Sequence, residues 1–306
     1  MSTITELISL IKEGDKKALA RAITIVENEL EGYKEILFSL DEKNKIPVIG
    51  FTGPPGSGKS TLINALVRHF SSSGKKVAII AIDPTSPFNY GSLLGDRLRM
   101  NEHVNDTNVF IRSIATRGSL GGLSEKTIEM VDVMRTGLFD MILVETVGVG
   151  QSEVEIAGLA DTTVVVFVPE SGDEIQTMKS GIMEIADIFV VNKSDREGAD
   201  IFANNLKKLV HSHAQKEWNI PVISVIATVN TGVEELAEQI EKHFRSGSAN
   251  DKRIYLLTEK VYRIIQKNRM SNVNKSDLQA AIVKETLASH FNIYKFADSY
   301  SSNKNS

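Results

Sequence analysis

The segment Gly53-Pro54-Pro55-Gly56-Ser57-Gly58-Lys59-Ser60 reads G-x-x-x-x-G-K-S and directly follows the apolar run Ile46-Pro47-Val48-Ile49-Gly50-Phe51. Such a loop needs a strand to feed it and a helix to leave from it, because its backbone N–H groups must converge on phosphate oxygens at the helix's positive end. Leu62, Ile63, Leu66, Val67 and Phe70 continue at helical spacing, and Gly74 stands where that helix should stop. Lys59 is expected to bridge the β and γ oxygens of a nucleoside triphosphate, and the Ser60 hydroxyl to join a Mg²⁺ shell. The competing reading, a bare Gly-rich turn, is disfavoured by the strand and helix on either side.

From this loop onward, apolar runs at 77–82, 109–114, 141–144, 163–168, 188–191 and 222–226 alternate with helical patterns. That order predicts an α/β fold of the P-loop NTPase type, with a mostly parallel central sheet and helices on both faces. Several runs are apolar without alternation, as strands covered on both sides should be. Upstream, Ile4, Leu7, Ile8 and Ile11, then Leu19, Ile23, Val26 and Leu30, predict a helical hairpin turning at Gly14-Asp15, so residues 1–44 form an N-terminal helical extension to a nucleotide-binding domain at 45–245. Ser246-Gly247-Ser248-Ala249-Asn250 reads as a linker. Beyond it, Ile254, Leu257, Val261, Ile264 and Ile265 predict an amphipathic helix in a C-terminal arm, 246–306, too short for a core of its own. The polar stretch Ser299–Ser306 reads as a disordered tail.

Bulk composition narrows the function classes. A hydrophobic content of 42% in 306 residues supports a sizeable core. With a net charge of −4 and a pI near 5.9 the chain offers no basic field, so nucleic acid is not an expected partner. There is no cysteine, hence no disulfide and no thiolate metal site. No apolar run reaches membrane-spanning length, and the first twenty residues carry acidic groups where a leader would be basic. A cytoplasmic protein with no membrane contact is the expectation.

Three further constellations point to the ligand. Asn192-Lys193-Ser194-Asp195 follows the apolar run 188–191 in the N-K-x-D pattern of guanine-binding proteins. A carboxylate at Asp195 can accept hydrogen bonds from guanine N1–H and the 2-amino group, which adenine does not offer. A mismatch would leave polar groups unpaired. Asn192 is expected to tether the loop and the Lys193 stem to cover the base plane. Glu145-Thr146-Val147-Gly148 closes another apolar run: Glu145 can reach Mg²⁺ through water, and the Gly148 N–H can touch a γ-phosphate and release it after hydrolysis. Ser152-Glu153-Val154-Glu155 then reads as a capping box that starts a helix. Asp83, at the end of the run 77–82, and Asp96, beside Gly95, are candidate members of the metal and water network; the alternative for both is an ordinary turn aspartate.

Taken with Asp83-Pro84-Thr85-Ser86, Gly91-Ser92-Leu93-Leu94-Gly95-Asp96, Glu145-Thr146-Val147-Gly148-Val149-Gly150-Gln151-Ser152-Glu153 and the early stretch 14–23, the chain resembles the MeaB/ArgK family from Gly14 to about Phe244. The resemblance implies a GTPase that escorts an adenosylcobalamin-dependent acyl-CoA mutase of the methylmalonyl-CoA mutase type, using GTP, GDP and Mg²⁺. It also implies a homodimer formed through the C-terminal arm. By position it puts Gly53, Pro54, Pro55, Gly56, Ser57, Gly58, Lys59, Ser60 and Thr61 around the phosphates, Asn192, Lys193, Asp195 and Ala227 around the base, Ser60, Asp83, Asp96 and Glu145 at the metal, and Lys59, Glu145 and Gly148 in the chemistry. The chain departs from the family at Phe88-Asn89-Tyr90-Gly91, at Arg97, and at Val225-Ile226-Ala227, where a backbone N–H at Ala227 could still donate to guanine.

No Gln directly follows Gly148, and Gln151 lies farther on, so intrinsic turnover should be slow and raised by a partner. The alternative is a protein kinase of the ArgK description, linked to transport of basic amino acids. It lacks a candidate base, and guanine selection speaks against an ATP-using enzyme. His211 and His213, two apart, face different ways on a helix and make a poor metal pair, which leaves nickel delivery without a site.

Overall fold

A computed structural model describes residues 3–40, 46–83, 101–103, 105–115, 125–146, 155–171, 182–212 and 218–246, and farther on 258–259, 261–262, 264–266, 268–270, 273–286 and 291–304. Seven strands form one sheet: β1 (Val48–Thr52), β2 (Val77–Asp83), β3 (Val109–Ala115), β4 (Met141–Glu145), β5 (Thr162–Phe167), β6 (Ile188–Asn192) and β7 (Val222–Val225). Their spatial order is β3-β2-β4-β1-β5-β6-β7, and every neighbouring pair is parallel. Strand β1 therefore lies between β4 and β5, where the chain reverses its direction of travel across the sheet, the place at which such sheets bind ligands. All seven strands fall within a residue or two of the runs read from sequence. Every residue of β1, β4, β5 and β6 is buried, which accounts for their lack of alternation.

One face of the sheet is covered by α4 (Lys59–Ser72) and α8 (Val233–Arg245). Phe51, Leu143, Val166 and Val190 meet Leu62, Leu66, Phe70, Leu236 and Ile240 in that core. Helix α4 ends as expected: Gly74 takes φ +80°, and Lys75 N–H closes on the Phe70 carbonyl at 3.0 Å. On the opposite face, α7 (Ala199–Ser212) covers β5 and β6 through Phe202 and Leu206.

The rest of that second face is built by the N-terminal segment, which holds three helices where two were expected: α1 (Ile4–Lys12), α2 (Lys16–Glu27) and α3 (Tyr33–Phe38). Helix α2 stops before Leu30, because Glu29 adopts φ +49° and the Leu30 N–H folds back on the Ile25 carbonyl at 2.9 Å, leaving Leu30 48% exposed. Leu7, Ile11, Leu19, Ile23 and Val26 share one core with Ala78, Ile80, Ile142 and Val144 of the sheet and with Met130 and Met134 of α5 (Glu125–Met134). At the sheet's edge, the Lys16 ammonium donates to the carbonyls of Thr107 (2.6 Å) and Val109 (2.8 Å), and Arg112 of β3 pairs with Glu27 at 2.5 Å. The segment is thus a layer of the nucleotide-binding domain.

After β4, residues 152–154 of the expected capping box lie outside the described residues; Glu155, its last residue, is helical, and a 3₁₀ turn, Ile156–Gly158, follows. A short α6 (Ile182–Ile185) precedes β6.

Residues 1–252 and 253–306 form two compact units. In the second, the described residues between 258 and 269 are helical, followed by α9 (Lys275–Thr286) and α10 (Ile293–Lys304). The stretch read as a disordered tail is therefore helical up to Lys304. Asn292 caps α10 through Tyr294 N–H and Lys295 N–H, both at 3.1 Å, and the Tyr300 ring packs 5.6 Å from that of Phe296. Among the described residues no helix is long and apolar enough to cross a membrane.

Candidate nucleotide site

The loop 53–58 leaves β1 at the carboxyl end of the sheet and feeds α4. Two of its glycines are dictated by close approaches. Gly53 has φ +136°, and a Cβ there would stand 2.1 Å from the Val166 carbonyl oxygen of β5; Gly58, at φ +85°, would place one 2.4 Å from Asn192 Nδ2. Pro54 and Ser57 are buried, while Pro55, Gly56 and Thr61 are exposed. The Ser57 N–H closes a turn on the Pro54 carbonyl at 3.2 Å.

Lys59, the first residue of α4, is 6% exposed, and its ammonium donates to the carbonyls of Gly53 (2.8 Å) and Pro54 (3.1 Å). The cation thus lies folded over the loop, at the helix N-terminus where an anion would sit. One residue on, Ser60 Oγ donates to Glu145 Oε1 across 2.6 Å. Glu145, the last residue of β4, is 8% exposed and neighbours Phe51 of β1 and Ala81 of β2 in register. A buried carboxylate and a hydroxyl converge here, both oxygen donors suited to a hard divalent cation. Mg²⁺ characteristically takes one or two carboxylates, with phosphates and water completing its shell. Among the described residues no group of three or more His, Cys, Asp or Glu side chains is placed to hold a metal ion.

Asp83 ends β2 opposite Ala115, at the same end of the sheet. Its side chain lies outside the described residues, as do all of Asp96 and Gly148.

The base loop follows β6. Asn192, 2% exposed, works in two directions: its Nδ2 donates to the Ser57 carbonyl at 2.9 Å, and its Oδ1 accepts the Ala227 N–H at 3.3 Å. Lys193 sits in the left-handed region at φ +55°, and its ammonium donates to the Gly56 carbonyl at 2.8 Å. The Lys193 side chain therefore spans from one loop to the other. The Ala227 N–H, expected to be free for the base, is already held by Asn192. Asp195 is exposed, with no hydrogen bond or ion pair among the described residues. Its neighbour Arg196 is occupied by Glu170, whose carboxyl this hydrogen bond holds below the usual range. Ser194 N–H to the Val225 carbonyl (3.1 Å) and Arg196 N–H to the Lys193 carbonyl (3.0 Å) fix the loop's backbone.

Sequence reasoning missed Thr52 and Thr146. Thr146 N–H donates to the Phe51 carbonyl at 3.0 Å, and its Oγ1 lies 3.2 Å from Thr52 Oγ1. Thr52 closes an apolar run with a hydroxyl and Thr146 directly follows the strand-end carboxylate Glu145, which was the available signal.

Comparison with known proteins decides the family. A family model described as methylmalonyl Co-A mutase-associated GTPase MeaB matches residues 19–285. The chain belongs to the MeaB family. A relative in Pyrococcus abyssi is 48% identical over 271 residues, covering 86% of this chain and 84% of its own. GTPase ArgK of Escherichia coli is 34% identical over 245 residues, 77% of this chain and 74% of its own, and the mitochondrial methylmalonic aciduria type A homolog of Mus musculus is 35% identical over 253 residues, 76% and 61%. Among solved structures, that of LAO/AO transport system kinase superposes with a TM-score of 0.67 at 21% identity over the whole of both chains, a likeness of fold. As a member of the MeaB family, the chain is a guanine-nucleotide-binding GTPase.

Proposed function

We propose that this MeaB family GTPase is a chaperone that assembles, protects or reactivates an adenosylcobalamin-dependent acyl-CoA mutase, and that it works in the cytoplasm as a homodimer formed through residues 246–306. The family description, an association with methylmalonyl-CoA mutase, supports the partner. The uncovered apolar residues Val261, Tyr262, Ile264 and Ile265 of the C-terminal unit support a pairing surface.

In this reading residues 53–61 cradle the phosphates, with Lys59 swinging from the Gly53 and Pro54 carbonyls to the β and γ oxygens. Asp195 accepts from the guanine edge, and Asn192 and Lys193 hold base loop and phosphate loop in fixed relation. That exposed carboxylate, on a loop bonded directly to the phosphate cradle, is the observation that carries the reading. Ser60 and Glu145 would hold Mg²⁺, which would supply charge neutralisation at the phosphates; Asp83, Asp96 and Gly148 join them by position alone. Since no Gln follows Gly148 directly, intrinsic turnover is slow and a partner raises it.

The test is GTP hydrolysis with and without the cobalamin mutase of the same organism. Acceleration by the mutase is expected. An unchanged rate with every such mutase would contradict the proposal.

A further inference from the structure

Directly beneath the phosphate loop, two buried threonines tie together the two strands that carry the site. Thr52 is the last residue of β1, after which Gly53 opens the phosphate loop; Thr146 is the first residue beyond Glu145 of β4. Their exposures are 0% and 2%. Thr146 Oγ1 lies 3.3 Å from the Phe51 carbonyl and 3.2 Å from Thr52 Oγ1, and the Thr146 N–H reaches the same carbonyl at 3.0 Å. Both hydroxyls are buried and depend on protein partners: Thr146 Oγ1 has Thr52 Oγ1 and the Phe51 carbonyl within reach, and Thr52 Oγ1 has Thr146 Oγ1. On its other side, the start of the loop abuts the Val166 carbonyl of β5, where only a glycine fits. The first residues of the phosphate loop are thereby clamped between β4 and β5.

We propose that Thr146, paired with Thr52, is a positioning residue for hydrolysis. It sets the distance between the Glu145 carboxylate and the Ser60 hydroxyl, now 2.6 Å, and fixes where the loop beyond Glu145 departs. This rests on the reading of Ser60 and Glu145 as the Mg²⁺ pair. The logic is geometric. Ser60 hangs from α4, whose start is set by the phosphate loop and so by β1; Glu145 hangs from β4. The register of β1 with β4 ends at Phe51 and Glu145; past it, the Thr146 N–H bond to the Phe51 carbonyl and the contact of the two threonine hydroxyls join the strands. Both metal donors must keep their separation through turnover, and displacements of about 1 Å in such sites cost as much as a hundredfold in rate.

The test uses the full chain with Thr146→Val, which keeps the shape and removes the hydroxyl, Thr146→Ser, which keeps the hydroxyl, and Thr52→Val, which removes the partner from the other side. For Thr146→Val the expected result is a fall in kcat of about tenfold and a rise in the Mg²⁺ concentration needed for half-maximal rate. The KM for GTP and the Mg²⁺-free affinity for GDP stay within about twofold, because the cradle and base loop are untouched. Thr52→Val should repeat this pattern and Thr146→Ser should restore the wild-type profile. An unaltered kcat and Mg²⁺ profile in Thr146→Val would overturn the proposal, as would a Thr146→Ser variant as impaired as the valine, or a loss of GDP affinity matching the loss of kcat. Glu145→Gln separates this from the reading beneath it. If that change leaves the Mg²⁺ requirement unaltered, the metal assignment falls and the positioning role with it; if it raises the requirement while Thr146→Val does not, the positioning role alone falls.

Discussion

Ser60 Oγ donates to Glu145 Oε1 across 2.6 Å, joining the first turn of the helix that leaves the phosphate loop to the tip of a strand 85 residues farther along the chain. Neither residue alone marks a metal site. Together they offer a hydroxyl and a buried carboxylate at the helix end where phosphates are expected, and removing the carboxylate charge should be felt only when a cation is needed. Glu145→Gln should lower kcat for GTP by at least about tenfold, near 1.4 kcal/mol of transition-state stabilisation. Mg²⁺-free GDP binding should hardly change. Steady-state rates across a Mg²⁺ titration, with calorimetry in chelator, measure both.

Asn192 is the joint between the two halves of the nucleotide site. Asn192→Ala leaves the Ser57 carbonyl and the Ala227 N–H without their partner in a buried setting, a loss of about 1–3 kcal/mol in stability. Because the base loop then floats relative to the phosphate loop, GDP affinity should fall by about tenfold or more. Thermal unfolding and calorimetry report the two losses separately. Full affinity in the alanine variant would mean that the joint is not needed.

Glycines of the phosphate loop should differ sharply in tolerance. At Gly53 an added methyl would stand 2.1 Å from the Val166 carbonyl with φ at +136°, so Gly53→Ala should cost about 3 kcal/mol or more. Gly56 has φ +76° with nothing within 4 Å of its would-be Cβ, so Gly56→Ala should cost only the left-handed strain of about 1–2 kcal/mol. Paired denaturant melts give the difference, and equal costs would contradict the close approach of loop and strand.

His103, 5% exposed, packs against α4 with no partner for its Nε2 among the described residues. Burial, reinforced by Arg68 and opposed by Glu102 and Asp106, holds its pKa below the ordinary histidine value of 6.5. The unfolded chain therefore binds this proton more readily than the folded one. Stability is retained above about pH 6.5 and declines as the pH falls below it. His103→Gln should lose less melting temperature than the wild type between about pH 7.5 and 5.5. Parallel pH profiles in scanning calorimetry would count against this.

The strands and the phosphate loop were legible because their signals are local: an unbroken apolar run for a strand covered on both faces, and a fixed spacing for the cradle. The loop after β6, with Asn192 reaching back to the phosphate loop, was legible from the N-K-x-D spacing for the same reason. The features that stayed hidden depend on partners distant in sequence. Glu29 ends α2 in a left-handed conformation that more often marks Gly or Asn, so the third N-terminal helix went unread. That the N-terminal helices form a layer of the domain follows from Leu7, Ile23 and Val26 meeting Ile80 and Val144, which periodicity alone does not reveal. The Ala227 N–H looked free because nothing in the sequence says that Asn192 would take it. At Ser299–Ser306 polar composition suggested disorder, but the Asn292 cap and the Phe296–Tyr300 contact hold a helix up to Lys304.

Nucleotide selection by the wild-type chain and by Asp195→Asn is the most direct measurement. Isothermal calorimetry with GDP, ADP and xanthosine diphosphate should give tight GDP binding and negligible ADP binding for the wild type. In the asparagine variant GDP should weaken by at least about a hundredfold, while xanthosine diphosphate, whose 2-oxo group accepts from the new amide, should gain. Comparable affinities for GDP and ADP, or a variant that binds GDP as the wild type does, would contradict the account at its root.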